Sequence, residues 1–182
     1  MRSITTSLFV TLLLTALTVI VGHSFLDMSS NALTSNSTPS TNATTTKNPF
    51  HPVFDTFIVP GSAKGYGMYQ THNSSIFKPG EEISLYVEPA GYSYKPSGSL
   101  FLMNFTADIV ISDKAGQIHG GVQNLPVSLL LSHHQNKELD LTIGLTQNHP
   151  FPPGDYVLKY TIHDVPSGNS FDILKNISIA TA

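Results

Sequence analysis

The residues best suited to chemistry in this sequence are its eight histidines, because imidazole is the commonest metal ligand and changes charge near neutral pH. The closest grouping is His133, His134 and Glu138. Alternating apolar sequence on both sides predicts strands, so these residues lie on a connecting loop. A tight zinc or copper site needs about three nitrogen or oxygen ligands. The fold would have to supply the others from distant positions: His119, His149 and His163. The competing interpretation is that these histidines cap turns or hydrogen-bond to the backbone.

A separate copper hypothesis concerns His23. If a leader is removed after Gly22, His23 becomes the first residue, and its α-amine and imidazole can chelate copper together. The sequence that follows predicts a flexible chain, which does not hold ligands in a fixed geometry. The sequence therefore favours a plain linker at this position.

Other catalytic chemistry finds little support. The chain has no cysteine, which excludes disulfides, thiolate zinc sites, iron–sulfur clusters and cysteine nucleophiles. Ser132 and Ser170 lack the Gly-x-Ser-x-Gly surroundings of many hydrolases, and no predicted helix follows the glycines of residues 61–67 to bind phosphate. Asp108 and Asp140 are predicted outward-facing strand positions rather than a carboxylate pair. We therefore expect no enzyme activity and no cofactor.

The charge balance disfavours one class of partner. Nine lysines and arginines against twelve acidic residues give a net charge of −3, so a basic surface for binding nucleic acid is missing. Charged residues form only 12% of the chain, about half the usual share. This composition favours strands, turns and an exported surface.

Three tyrosines are candidates for recognition of a partner: Tyr86, Tyr92 and Tyr94. Tyrosine is common at recognition surfaces because its ring gives a large contact area and its hydroxyl a polar tip. The alternative is that these tyrosines pack at a sheet edge or tie a corner of the fold. The first of them lies in a strand whose alternation places Tyr86 on the outer face and Leu85 on the buried face.

The N-terminal region predicts contact with a membrane. Residues 3–22 carry no formal charge, follow Arg2 and contain the apolar run 8–21. About twenty apolar residues suffice to cross a bilayer, whereas a cleaved signal peptide would need a small-residue cleavage site. We expect residues 1–24 to be a membrane anchor or a signal peptide. The protein is then anchored in the cell membrane and faces outward, or it is secreted.

Residues 25–48 predict a flexible stalk. Eleven of the eighteen residues from 29 to 46 are serine or threonine, with little apolar surface to bury. N-x-Ser/Thr sequons mark possible glycosylation sites and fit an exported surface. They begin at Asn36 and Asn42 in the stalk and at Asn73, Asn104 and Asn176 beyond it.

Residues 49–182 predict an all-β domain with about seven strands. Apolar residues alternate with polar ones in short runs, and prolines and glycines separate the runs. The clearest runs are 83–88, 105–112, 139–143, 156–163 and 171–179, with weaker ones at 54–59 and 127–131. The last two clear runs flank a turn at 164–168 and predict an antiparallel hairpin. Such spacing is typical of a two-sheet β-sandwich.

Two segments carry a resemblance to a known class of domain. PPGDYVLKYTIHDVPSGNSFDI (152–173) resembles the final hairpin of extracellular immunoglobulin-like and fibronectin-like modules, and FKPGEEISLYVEP (77–89) resembles an early strand of such modules. Residues 64–179 as a whole are similar to a group of exported archaeal and bacterial proteins to which no activity is assigned. The resemblance implies an immunoglobulin-like antiparallel sandwich and no particular function. The paired cysteines and core tryptophan of antibody domains are absent.

These observations favour a non-enzymatic binding or structural module outside the cytoplasm, held on a stalk at the membrane. We expect it to recognise a protein or a glycan through loops, since loops on a rigid scaffold carry recognition. The candidate loops are residues 91–99, 120–126 and 132–137. The alternative function is a copper or zinc binding protein of the cell envelope that uses His133, His134, His119 and His163. An exported hydrolase is a third possibility.

Overall fold

The computed structural model describes residues 49–147 and 149–181. The predicted membrane segment 1–24, the stalk 25–48 and the sequons at Asn36 and Asn42 lie outside these residues. Within them the chain forms strands and turns and no helix. In particular, this part of the chain has no helix of the length and hydrophobicity that crossing a membrane requires.

The all-β prediction is confirmed for the described residues, which form nine strands rather than about seven. Two short strands, β2 and β4, account for the difference. The strands are β1 His51–Ile58, β2 Ile76–Phe77, β3 Ile83–Ala90, β4 Lys95–Ser97, β5 Leu100–Asp113, β6 Ile118–Ser132, β7 Leu141–Leu145, β8 Gly154–Asp164 and β9 Asn169–Ile179.

The strands form two sheets. The smaller sheet has the order β1-β3-β7 and is antiparallel. In the larger sheet β2, β9, β8 and β5 follow one another, and both β4 and β6 also pair with β5. Leu102 of β5 lies opposite both Lys95 of β4 and Leu131 of β6. Therefore β6 borders β5 on one side, while β4 and β8 share the other side.

One apolar core joins the two sheets. The predicted alternation on β5 and β8 is confirmed: every second residue of each strand is buried. These residues pack in one cluster with the inward residues of β3 and β7. Burial of this shared face is the main favourable contribution to folding, and the arrangement is consistent with a β-sandwich. The inward residues of β5 and β8 are Met103, Phe105, Ala107, Ile109, Ile111, Tyr156, Leu158, Tyr160 and Ile162.

The predicted hairpin at the end of the domain is confirmed. Strands β8 and β9 pair antiparallel from Gly154 and Ile179 to Asp164 and Asn169. The amide of Gly168 closes the turn by donating to the carbonyl of Asp164 at 2.8 Å.

The prediction of a loop at residues 120–126 is wrong, because this segment lies inside β6. Its glycine, asparagine and proline residues resemble a turn, but an edge strand with bulges accommodates them. The register with β5 shifts at three places along the pair, and Asn124 has a φ of 54°. A Cβ on residue 121 would come within 2.5 Å of the Ile109 carbonyl oxygen, so Gly121 lets the two backbones approach.

Candidate recognition surface

Several loops meet at the end of the domain where the described chain begins, which we call the loop end. Here β1 starts opposite the end of β3, with His51 paired to Ala90. Residues 91–99, the segment 133–140 and the turn 164–168 lie at the same end, since β5 starts and both β6 and β8 finish there. Thus two of the three predicted recognition loops are neighbours in space.

The first residues of the domain are fixed to this end. Phe50 is buried, and its ring lies 4.6 Å from that of Phe171 and 6.0 Å from that of Phe105. Gly91 has a φ of 71°, and a Cβ there would overlap the carbonyl oxygen of Pro49. Glycine is therefore required where the incoming chain crosses the end of β3.

Two tyrosines hold the two loops together. The hydroxyls of Tyr92 and Tyr94 both donate to the carbonyl oxygen of Asn136, at 2.6 and 2.5 Å. The ring of Tyr92 is buried and packs edge-on against Phe105 at 5.5 Å. Burial raises the pKa of the Tyr92 phenol, and its interaction with Tyr94 raises it further. Segment 133–140 is thus anchored to the core through rings that belong to the other loop.

A buried carboxylate ties the third loop to the first. Asp164 is fully buried, and its Oδ2 accepts hydrogen bonds from the Ser93 amide at 2.9 Å and the Ser167 hydroxyl at 2.5 Å. The turn 164–168 and residues 91–94 therefore share one anchor.

The anchored segment 133–140 exposes several polar side chains to solvent. Within segment 133–140 the side chains of His133, His134, Gln135, Lys137 and Glu138 are exposed. An open hollow of about 260 Å³ is lined by Asn136, Lys137 and Glu138. The shape suits contact with the surface of a partner better than enclosure of a small molecule.

Tyr86 does not lie on the accessible surface, contrary to its predicted role. Its side chain is 0% exposed because residues 59–72 fold over the outer face of the smaller sheet, which alternation along β3 could not reveal. The ring of Tyr69 covers it at 4.3 Å, and its hydroxyl donates to Glu88 at 2.9 Å while accepting from the Gly67 amide at 2.7 Å. Tyr92 is also buried, and Tyr94 is half-buried.

The exposed aromatic residue of this region is Tyr66. Its side chain is 40% exposed, and its pKa is raised, first by partial burial and then by the carboxylates of Glu88 and Glu138. Burial also raises the pKa of Asp140, with a further contribution from Glu88. An aromatic ring beside carboxylates therefore extends the surface of the 133–140 segment.

The candidate metal ligands are separated. His119 pairs with Asp113 at 3.1 Å, and His163 pairs with Asp108 at 3.0 Å. His133 and His134 lie on the exposed loop at the loop end. Among the described residues no three histidine or acidic side chains are grouped as a metal site.

In each of the two histidine pairs, the histidine helps to lower the pKa of its aspartate partner. The His119 hydrogen bond is the main cause of the lowered pKa of Asp113. For Asp108 the main cause is the Asn124 amide, which donates at 2.7 Å, and His163 contributes to the lowering. Each pair ties neighbouring strands of the larger sheet, β5 to β6 and β5 to β8.

The described sequons lie in different surroundings. Asn73 is exposed in the connection before β2, where a glycan would find room. Asn104 and Asn176 lie within β5 and β9, on the outer face of the larger sheet; Asn104 is half-buried and Asn176 is exposed. Asn73 and Asn176 are therefore more accessible to modification than Asn104.

No protein-family model matches this sequence, and a search of curated proteins finds no match either.

Proposed function

We propose that this protein is a non-enzymatic binding module that acts outside the cytoplasm and recognises a protein or a glycan at the cell surface. The module is joined by its stalk to a membrane anchor, or it is secreted. The observation that carries the proposal is the double hydrogen bond from Tyr92 and Tyr94 to Asn136. It holds two chemically diverse, exposed loops on a rigid core, as recognition loops require.

We also propose that the domain is immunoglobulin-like, within an exported group of archaeal and bacterial proteins. The order of the strands supports this assignment. Strands β1, β3 and β7 form one sheet, and β9, β8, β5 and β6 follow one another in the other. This arrangement agrees with the alternation of strands between sheets in immunoglobulin-type Greek keys.

The surface contains what polar recognition needs. Lys137, Glu138, His133 and His134 offer charged and hydrogen-bonding groups, and Tyr66 offers a ring for stacking on an apolar face. The open hollow beside Asn136 admits a protruding side chain or a sugar unit rather than a fully enclosed ligand.

The test replaces residues 133–138 with a glycine-serine segment of equal length. The matched control replaces the turn 113–116, which lies at the opposite end of the domain. Both variants and the parent protein are screened against a glycan array and against cell-envelope extracts, with circular dichroism as a check of folding. We expect ligands of the parent to be kept by the control and lost by the loop variant. A folded loop variant that keeps every ligand would contradict the proposal.

A further inference from the structure

We propose that an apolar patch at the loop end docks on the surface of a lipid bilayer; this inference rests on the membrane tether of the proposed function. The patch, which we call the leucine patch, consists of Leu102, Leu129, Leu131 and Val165. Leu129 is 69% exposed, Leu131 52% and Val165 46%. Exposed apolar side chains grouped in this way can mark a site of contact with a partner or a membrane.

The strand register places the four residues around Asn104 of β5. Leu131 of β6 lies opposite Leu102 of β5, and Leu129 lies opposite Asn104. The amide of Val165 donates to the carbonyl of Asn104 at 3.0 Å, which brings the turn against the same part of β5. Leu130 packs against the core, so its two neighbours on β6 face outward.

The place where the domain begins indicates that lipid, rather than another protein, covers the patch. Residues 3–22 are the predicted membrane segment, and only residues 23–48 separate them from Pro49, which is fixed at the loop end against Gly91. A flexible chain of this length has a root-mean-square span of roughly 27 Å. The loop end is therefore the end of the domain kept nearest the bilayer, and the leucine patch lies there.

The charged neighbour of the patch suits a lipid surface. Lys95 lies opposite Leu102 on β4 and is exposed. A lysine can lay its apolar stem along the patch while its ammonium group reaches the phosphate of a headgroup. Apolar side chains that enter the interface beside such a cation are typical of proteins that rest on a membrane.

The test uses the full chain with single cysteines, since the natural sequence contains none. Leu129→Cys and Leu131→Cys carry a fluorescent label in the patch. Ile118→Cys is the matched control, because Ile118 is 67% exposed on the same strand but lies roughly 35 Å away at the opposite end. The labelled proteins are reconstituted into vesicles of phosphatidylcholine and phosphatidylglycerol that contain nitroxide lipids. We expect the nitroxides to quench labels at 129 and 131 and to leave the label at 118 bright.

Other outcomes are equally decisive. Equal quenching at 118 and 129, or none at 129 and 131, overturns the proposal. A label at 129 that is shielded from aqueous iodide but not quenched by the nitroxide lipids shows that a protein surface, such as a second copy, covers the patch instead. Vesicle flotation distinguishes failure of the membrane tether from failure of patch docking. A chain that does not float refutes the tether and this inference together. A floating chain with an unquenched patch refutes the inference alone.

Discussion

Replacing Tyr160 with phenylalanine is expected to stabilise the domain. Tyr160 lies in the middle of β8, points into the core and is fully buried. Its hydroxyl has no hydrogen-bond partner among the described residues. A buried hydroxyl without a partner costs about 1–3 kcal/mol. Tyr160→Phe removes this cost and leaves a void smaller than a methyl group, whose penalty is at most about 1 kcal/mol.

The expected net gain in the free energy of unfolding is about 1 kcal/mol, or a rise in Tm of about 4 °C for a domain of this size. Thermal and urea unfolding followed by circular dichroism measure it. Tyr86→Phe is the matched control, because that hydroxyl is equally buried but bonds to Glu88 and Gly67. The control should lose about 2–4 kcal/mol, since a charged acceptor and an amide are left unpaired. A loss of more than about 1 kcal/mol in Tyr160→Phe would refute the reasoning and indicate that a bound water satisfies the hydroxyl.

Three further predictions concern stability. Gly91→Ala should lower the free energy of unfolding by about 3 kcal/mol or prevent folding, because it combines a left-handed φ with a backbone overlap. Gly98→Ala should lower it by only about 1 kcal/mol, because Gly98 has a φ of 61° and open space around it. Urea midpoints compare the two variants. Burial raises the pKa values of the Tyr86, Tyr92 and Tyr160 phenols, so the unfolded chain alone releases these protons above about pH 10, and each phenol should lower the free energy of unfolding by about 1.4 kcal/mol per pH unit there. Denaturation from pH 8 to pH 11 tests this sign, and a flat profile contradicts it. Lys175→Met should destabilise the domain by about 1–2 kcal/mol, because it leaves the partly buried carboxylate of Asp55 without its cation. Thermal unfolding measures the loss, with Lys175→Arg as the control. Equal Tm values for the two variants would exclude the ion pair as the cause.

The parts of the fold that sequence periodicity predicted are those where one face of a strand is buried and the other is exposed. Strand β8 is the clearest case, since Tyr156 to Ile162 alternate between core and solvent as expected. For strand β3 the alternation predicted an exposed outer face, but the strand is covered on both faces. The cover comes from residues 59–72, whose many glycines give no periodic signal.

Residue types that usually form turns lie inside strand β6. Gly120, Gly121, Asn124 and Pro126 each favour a turn when considered alone. They are accommodated because β6 is bordered by a strand only on its β5 side among the described residues. Its free side needs no proline amide, and register shifts take up the left-handed residue.

The candidate site was predicted only in part. Loops were predicted at residues 91–99 and 132–137, but β4 occupies 95–97 of the first and β6 includes Ser132 of the second. Tyr92 and Tyr94 were identified from residue type. Their common bond to Asn136 joins positions 42 and 44 residues apart. No local pattern encodes such a pairing, because only the topology of the whole domain brings residues 92–94 beside the segment that follows β6.

The two limits of the described chain lie at opposite ends of the domain, and this has a mechanical consequence. Strand β1 starts at the loop end, whereas β9 finishes at the other end, where Ile179 lies opposite Gly154. A pull between these points runs parallel to both strands. Ladder hydrogen bonds stand perpendicular to strands, so such tension shears many of them at once instead of unzipping them one by one. A domain loaded between these two points therefore resists rupture.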